Sequence, residues 1–237
     1  MNAALLTVGD ELLDGDTTNT NARWLAAELA DRGVTTERVL TVPDETDVIA
    51  EATRRYSDRF DAVVVTGGLG GTPDDVTMDG VAAAFGRELV ANDLARADVE
   101  RHLEAVADDY PELNVDVAAE AAIPAGSRPL LNPVGLSPGC VVENVYVLPG
   151  IPSEMEGMFE GVADEFAGDV DSRYLYTEEP EASLIERLNE VRERFGVRVG
   201  CYPDREAGHN RLKVSDSDGE ALAAAEAWLR ERVVLSE

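Results

Sequence analysis

At 237 residues, with a hydrophobic fraction of 44%, the chain is long enough to bury one large core or two modest ones. Its formal net charge of -28, from 48 acidic against 20 basic residues, would suit a disordered chain only if apolar residues were scarce, which they are not. The same charge opposes nonspecific binding to nucleic acid or to an anionic membrane, because phosphate affinity comes from Lys and Arg.

The basic residues are almost all arginine, with Lys213 the only lysine. That balance describes either a surface adapted to concentrated salt, as in halophiles, or acidic helix faces that have accumulated. The amino terminus, MNAALLTVGDEL, has no basic start and only a short apolar run, unlike a signal peptide. No stretch approaches the ~18 apolar residues of a membrane span, so a soluble, cytoplasmic protein is expected. Cys140 and Cys201 lack CxxC spacing and read as free, idle thiols.

In chain order, residues 3–8 read as a short buried strand. From Asn19 the apolar positions Trp24, Leu25 and Leu29 recur at helical spacing up to Gly33, which suits a carboxy-terminal cap. Residues 34–42 form a second strand, 46–57 a helix, and 61–66 a valine-rich third strand. This βαβαβ order with continuous apolar strands predicts a mostly parallel sheet covered on both faces, a three-layer α/β/α fold. Residues 77–85 and 92–109 read as helices, the second acidic. Residues 110–139 are rich in proline and glycine, with apolar pieces at 121–123 and 130–131. A hairpin turns at Glu143 and Asn144 between 141–142 and 146–148, and 151–166 returns to helical spacing.

Gly168, Asp169 and Asp171 mark a linker, dividing the chain into domains at 1–168 and 171–237. The second is predicted as strand 173–177, helix 180–195, strands 197–202 and 211–215, and helix 219–233. This βαββα order makes a small α+β domain with two helices on one sheet face.

Ligands of open parallel sheets collect at the carboxyl ends of strands. There the third strand runs into Gly67, Gly68, Gly70 and Gly71, in TGGLGGTPDDVT. Without Cβ atoms such a loop can turn its N–H groups onto an anion, or it can be an ordinary turn. It is neither GxGxxG, since Pro73 replaces the third glycine, nor a P-loop, since no GK[ST] follows. Asp74 and Asp75 can cap the next helix, or hold a divalent cation that bridges to phosphate. The first strand ends in Gly9-Asp10-Glu11 and the second in Val42-Pro43-Asp44-Glu45, so acid-rich loops follow successive strands and predict one cleft.

Together GDELLDGDTTNTN, VPDE, TGGLGGTPDDVT, NPVGLSPG and LPGIPSEM, in that order, resemble the molybdopterin-binding domain shared by the MoaB/Mog family and the amino-terminal part of the CinA family. NPVG with SPG, and LPGxPxEM, favour the CinA branch. The tail resembles the KH-like domain of CinA proteins. The resemblance implies a rim that binds a small phosphorylated ligand, a pterin or a nucleotide diphosphate. By it, Thr66, Gly67, Gly68 and Gly70, with the adjoining Gly71 and Thr72, would cradle phosphate. Asp44 and Asp75 would be the acidic pair, and Asn132, Pro133, Val134 and Gly135 would close the other side, with Gly150 and Glu154 near the final loop. Gly71 stands where the family commonly has proline.

CinA-type domains are associated with metal-dependent cleavage of ADP-ribose to AMP and ribose 5-phosphate. The implied cofactor is a divalent metal (Mg2+, Mn2+ or Co2+) on Asp75, with Asp74 or Asp44, while Glu11 or Asp44 orients water. Molybdopterin as bound ligand is the alternative, and a noncatalytic assembly module a third. The chain stops short of the nicotinamide-mononucleotide deamidase domain of many CinA proteins, and that activity is not expected. The segment 204–209 is not the GxxG loop of an RNA-binding KH module, so a structural or oligomerising tail is expected. Related domains form oligomers, and a homo-oligomer is the expectation. His102 reads as a solvated helix residue and His209 as part of a surface loop.

Overall fold

The structure, a computed structural model, describes residues 1–107 and 115–236 and divides into two compact units, Met1–Gly168 and Asp169–Glu237. The end of the predicted helix 92–109 and the start of the proline-rich segment lie outside the described residues.

In the first unit, β1 (Asn2–Val8) leads through a short helix α1 (Asp10–Leu13) to α2 (Thr20–Asp31), then β2 (Thr35–Val42), α3 (Thr46–Ser57) and β3 (Ala62–Thr66). Asn19 starts α2 by accepting from Ala22 N at 3.0 Å, and Gly33, at φ 74, lets the chain leave it. Helix α4 (Thr77–Ala84), β4 (Leu89–Ala91), α5 (Asp93–Val106), α6 (Val117–Glu120), β5 (Ala122–Pro124) and β6 (Arg128–Leu130) follow. β7 (Gly139–Val142), β8 (Val145–Leu148) and α7 (Pro152–Glu160) complete the unit.

The main sheet has six strands in the order β2-β1-β3-β8-β7-β6. β2, β1, β3 and β8 run parallel, while β7 and β6 add antiparallel pairs at one side. Side chains alternate along the central strands β1 and β3, and both sets are buried. Ala4, Leu6, Val63 and Val65 pack with Ile49 and Tyr56 of α3 and Val81 of α4. Ala3, Leu5 and Val64 pack instead with Leu25 and Leu29 of α2 and Met155 and Phe159 of α7. Helices on both sheet faces give the predicted three layers.

The structure corrects local expectations. The helical spacing of 151–166 is broken after Glu160, where Gly161 ends α7 and a 3-10 turn, Ala163–Glu165, follows. The apolar spacing persists because Phe166 still stacks on Phe159, with ring centroids 5.2 Å apart. Neither Asp74 nor Asp75 caps α4: the residue before the helix is Val76, which makes no side-chain cap. His102 is not fully solvated; its Nδ1 lies 3.1 Å from the Asp98 carbonyl oxygen and its side chain is 15% exposed. His209 stands at the start of a strand, paired with Asp204, instead of in the hairpin loop.

The second unit runs β9 (Asp171–Thr177), α8 (Glu181–Phe195), β10 (Arg198–Asp204), β11 (His209–Asp216) and α9 (Gly219–Arg230). Its antiparallel sheet has the order β10-β11-β9. Leu175, Leu212 and Val214 turn inward onto Leu184 and Val191 of α8 and Leu222 and Trp228 of α9.

Cys140 is buried and Cys201 half-buried, and neither is in a disulfide. Burial pushes the Cys140 thiol up to about 12, which leaves it unreactive. Among the described residues no helix is long and apolar enough to cross a membrane.

Candidate functional site

Three parallel strands, β2, β1 and β3, deliver their loops to the same sheet edge. At that edge Gly9 N donates to Val42 O at 3.1 Å, joining the ends of β1 and β2, and Gly67 N donates to Leu148 O at 3.2 Å, joining β3 to β8. Between the loops lies a cavity of about 220 Å³. Of the sequence-predicted residues, Glu11, Asp44, Asp74 and Asp75 line it together with Thr66, Gly67, Gly68 and Gly150.

Gly67 and Gly68 have φ 102 and φ 61, a backbone region that side chains disfavour. A Cβ on Gly67 would stand 2.2 Å from Val8 O, and one on Gly68 would stand 2.4 Å from Thr77 Oγ1 and 3.3 Å from Asp44 Oδ1. Glycine is therefore what lets β3 turn across the ends of β1 and β2. Gly70 differs: a Cβ there would meet Asp75 Oδ2 at 2.6 Å, and it lines a neighbouring cavity of about 100 Å³ with Asp75 and Glu120. Gly71 and Thr72 are exposed and line neither cavity.

The carboxylates have separate duties. Asp44 Oδ2 accepts from Asp10 N at 2.9 Å, bridging the β1 and β2 loops. Partial burial, and then the negative charges of Asp10, Glu11 and Asp74, push its carboxyl above the ordinary range despite that hydrogen bond. Asp75 Oδ2 accepts from Thr72 N at 3.2 Å and from Thr72 Oγ1 at 2.5 Å, closing a turn of the glycine loop. The Asp74 carboxyl also lies below its usual value, from the nearby Thr72 hydroxyl, which it shares with Asp75, and from its own backbone N–H. Among the described residues no group of three or more His, Cys, Asp and Glu side chains is placed to hold a metal ion.

Residues given no role from the sequence also belong to the cleft. Asn21 lines it and donates from Nδ2 to Gly150 O at 2.7 Å, while its buried Oδ1 has no partner among the described residues. Thr77 is fully buried beside Gly68 and its Oγ1 is likewise without a partner. Both stand inside quoted motifs, GDTTNTN and TPDDVT, but amide and hydroxyl side chains in loops carry no signal by themselves.

Asn132, Gly135 and Glu154 do not line this cavity. Asn132, fully buried, accepts on Oδ1 from Val134 N at 3.1 Å and Gly135 N at 2.8 Å, and donates from Nδ2 to Glu154 Oε2 at 2.7 Å and to Ser137 O at 3.0 Å. A Cβ on Gly135 would overlap the Glu154 carboxylate at 2.2 Å. Buried Asp98 receives Asn132 N at 3.0 Å. In this structure these residues hold the NPVG turn itself.

Residues 4–167 match the family described as a probable molybdopterin binding domain, and residues 169–235 match the middle domain of FAD synthase. The second description differs from the KH-like resemblance of the tail. A protein of Archaeoglobus fulgidus is 37% identical over 95% of both chains. A CinA-like protein of Frankia casuarinae is 44% identical over 67% of this chain, which spans 38% of that longer protein. The crystal structure of the protein CinA from Thermoplasma acidophilum, described as of unknown function, superposes with a TM-score of 0.63 at 35% identity. It covers 70% of this chain and 99% of that one.

Proposed function

The chain belongs to the family of the probable molybdopterin binding domain, with CinA-like relatives, and on that footing we propose that its cleft binds a pterin phosphate or a nucleotide diphosphate and hydrolyses the diphosphate of ADP-ribose or a similar compound. The observation that carries the reading is the meeting of the positive-φ turn Gly67-Gly68 with Asp44, Glu11 and Asp74 in one cavity.

Two features fit a cation between ligand and protein. Asp44 is crowded by like charges that a cation would relieve, and Thr77 Oγ1 is a buried oxygen with no partner among the described residues. The carboxylates of the cleft suit Mg2+ or Mn2+, which take one or two carboxylates and complete their shell with phosphate and water oxygens. Such an ion, when bound, would polarise the phosphoryl oxygens. Asp44 and Asp75 are the carboxylates assigned to hold it, with Asp74 beside them. Glu11 is assigned the orientation of the attacking water, as an exposed carboxylate free to accept its proton. The Gly67 and Gly68 backbone leaves room for phosphate to approach closely. FAD is itself a dinucleotide diphosphate, so the match of the second unit supports the same ligand class.

Incubating the purified chain with ADP-ribose and Mn2+ and separating products by chromatography is expected to give AMP and ribose 5-phosphate. Asp44→Asn is expected to lower the rate at least about 100-fold, as loss of a group acting in general acid–base or metal-assisted steps does. Tight retention of a fluorescent pterin with no turnover of ADP-ribose would replace hydrolysis by carriage. Failure to bind either compound would remove the reading.

A further inference from the structure

Among the described residues, α8 and α9 pack on one face of the antiparallel sheet of the second unit. The other face carries three of the chain's six tyrosines: Tyr174 and Tyr176 are 42% exposed and Tyr202 is 50% exposed. Large aromatic side chains at this exposure are ordinary singly but informative as a group.

The strand register explains how they meet. Tyr202, Arg211 and Tyr176 stand opposite one another across β10, β11 and β9, and Gly200, Lys213 and Tyr174 form the next row on the same face. A Cβ at position 200 would lie 2.7 Å from the Tyr202 hydroxyl, so glycine is what lets that ring lie back along its strand. The Arg211 guanidinium is 5.7 Å from the ring centroids of both Tyr174 and Tyr202, and Lys213 Nζ is 5.7 Å from that of Tyr174. His209 meets Tyr176 edge-on at 5.1 Å.

The charge here runs against that of the whole chain. The only lysine and an arginine sit together in a protein of net charge -28, and among the described residues neither forms a salt bridge, although Asp204, on the same face, feels the charge of Arg211. Arg173, on the opposite face of the same sheet, is by contrast paired with Asp171 and Glu226. Unpaired cations with aromatic faces complement a ligand that carries both negative charge and a flat π-system.

We propose that this face binds a nucleotide, with its base stacked on the tyrosine rings and its phosphate held by Arg211 and Lys213. Adjacent strands are about 4.8 Å apart, so the central cations and the flanking rings lie within the span of one base and its phosphates. Base stacking needs only an exposed π-face, and an arginine plane can add to it. A longer nucleic acid is disfavoured, because every phosphate beyond the patch meets an acidic protein.

Photocrosslinking the full chain with 8-azido-ADP, and mapping adducts by mass spectrometry, reads this face separately from the cleft of the first unit. Adducts are expected on peptides containing Tyr174, Tyr176 or Tyr202, and competition by unlabelled ADP gives the affinity there. Tyr202→Leu and Arg211→Gln are each expected to weaken that competition about tenfold, the scale of one stacking contact, with an unchanged circular dichroism spectrum. Should one variant misfold, the other carries the comparison.

Adducts confined to residues 1–168 would overturn the proposal whether or not the cleft turns out to be catalytic. So would pyrophosphate competing as well as ADP, which removes any part for the base, or oligouridylate competing better than ADP, which makes the occupant a polymer. Sedimentation showing a concentration-dependent dimer that Arg211→Gln dissolves would assign the face to a second copy of the chain instead.

Discussion

Replacing Gly67 by alanine tests whether the turn at the end of β3 is as constrained as its geometry requires. The residue has φ 102, and the added Cβ would stand 2.2 Å from Val8 O, about 1 Å inside ordinary carbon–oxygen contact. The obstacle is backbone, at the end of β1, which is itself held on both sides by β2 and β3. Left-handed strain contributes about 1–2 kcal/mol and overpacking about 1–3 kcal/mol, so the loss is about 2–5 kcal/mol. For a domain of this size that lowers Tm by roughly 5–15 °C.

Gly71→Ala is the control from the same loop. Its Cβ meets only Glu120 Oε2, at 3.5 Å, and the residue needs no positive φ, so a change within about 0.5 kcal/mol is expected. Thermal melts of the full chain, followed by circular dichroism, compare the two. A Gly67→Ala protein melting within about 1 °C of the parent, or a Gly71→Ala protein falling as far, would refute the reasoning that separates these glycines.

Thr77→Val removes a buried hydroxyl without a partner, so the fold should hold or gain up to about 1 kcal/mol while calorimetry shows weaker Mn2+ or phosphate binding. A loss of stability would mean that the hydroxyl is satisfied. Asp98→Ala leaves Asn132 N buried without its acceptor and should cost about 2–3 kcal/mol in urea unfolding, with amide exchange rising across the NPVG turn. Glu179 is held down to about 2 by Arg187 and by Val234 N, below its ordinary 4.5. A depressed carboxyl stabilises the fold above pH 4.5 and loses that contribution as pH falls toward 2. Glu179→Gln should therefore destabilise the second unit at pH 7 by about 1–2 kcal/mol, with the gap to the parent closing across that window. A gap that does not change with pH would remove the ion pair as its cause.

Much of the architecture was legible because it rests on local patterns. The valine run before TGG and the apolar strand before Gly9 could be buried on both sides only in a covered parallel sheet. The spacing of Leu25 and Leu29, and of Leu184 and Val191, allowed only helices with one buried stripe. Short elements such as α1, α6 and the β4–β5 pair escaped, since four residues or fewer carry no period. The helix expected to reach residue 166 shows the reverse error: apolar spacing continues into the 3-10 turn although the α-helix does not.

The candidate cleft divides along the same line. Order along the chain alone placed Glu11, Asp44 and the glycine loop at successive strand ends, and a parallel sheet brings such ends to one edge. Which atoms are free there was decided by packing. Asp75 gives Oδ2 to a turn with Thr72, Asp44 keeps one oxygen toward Gly68, and Thr77 turns its hydroxyl inward; no residue type announces any of these.

Asn132 and Glu154 were drawn to the rim by motif, but their hydrogen bonds to each other and to Gly135 N close their own turn. The aromatic face of the second unit was hidden because Tyr174, Tyr202 and Arg211 are distant in sequence and meet only through strand register. Composition and period thus determined the layers and the edge where loops gather, as these follow from near neighbours in the chain. Tertiary structure decided which polar atoms stay unsatisfied, because a hydrogen bond is used or left open only when distant segments come within about 3 Å.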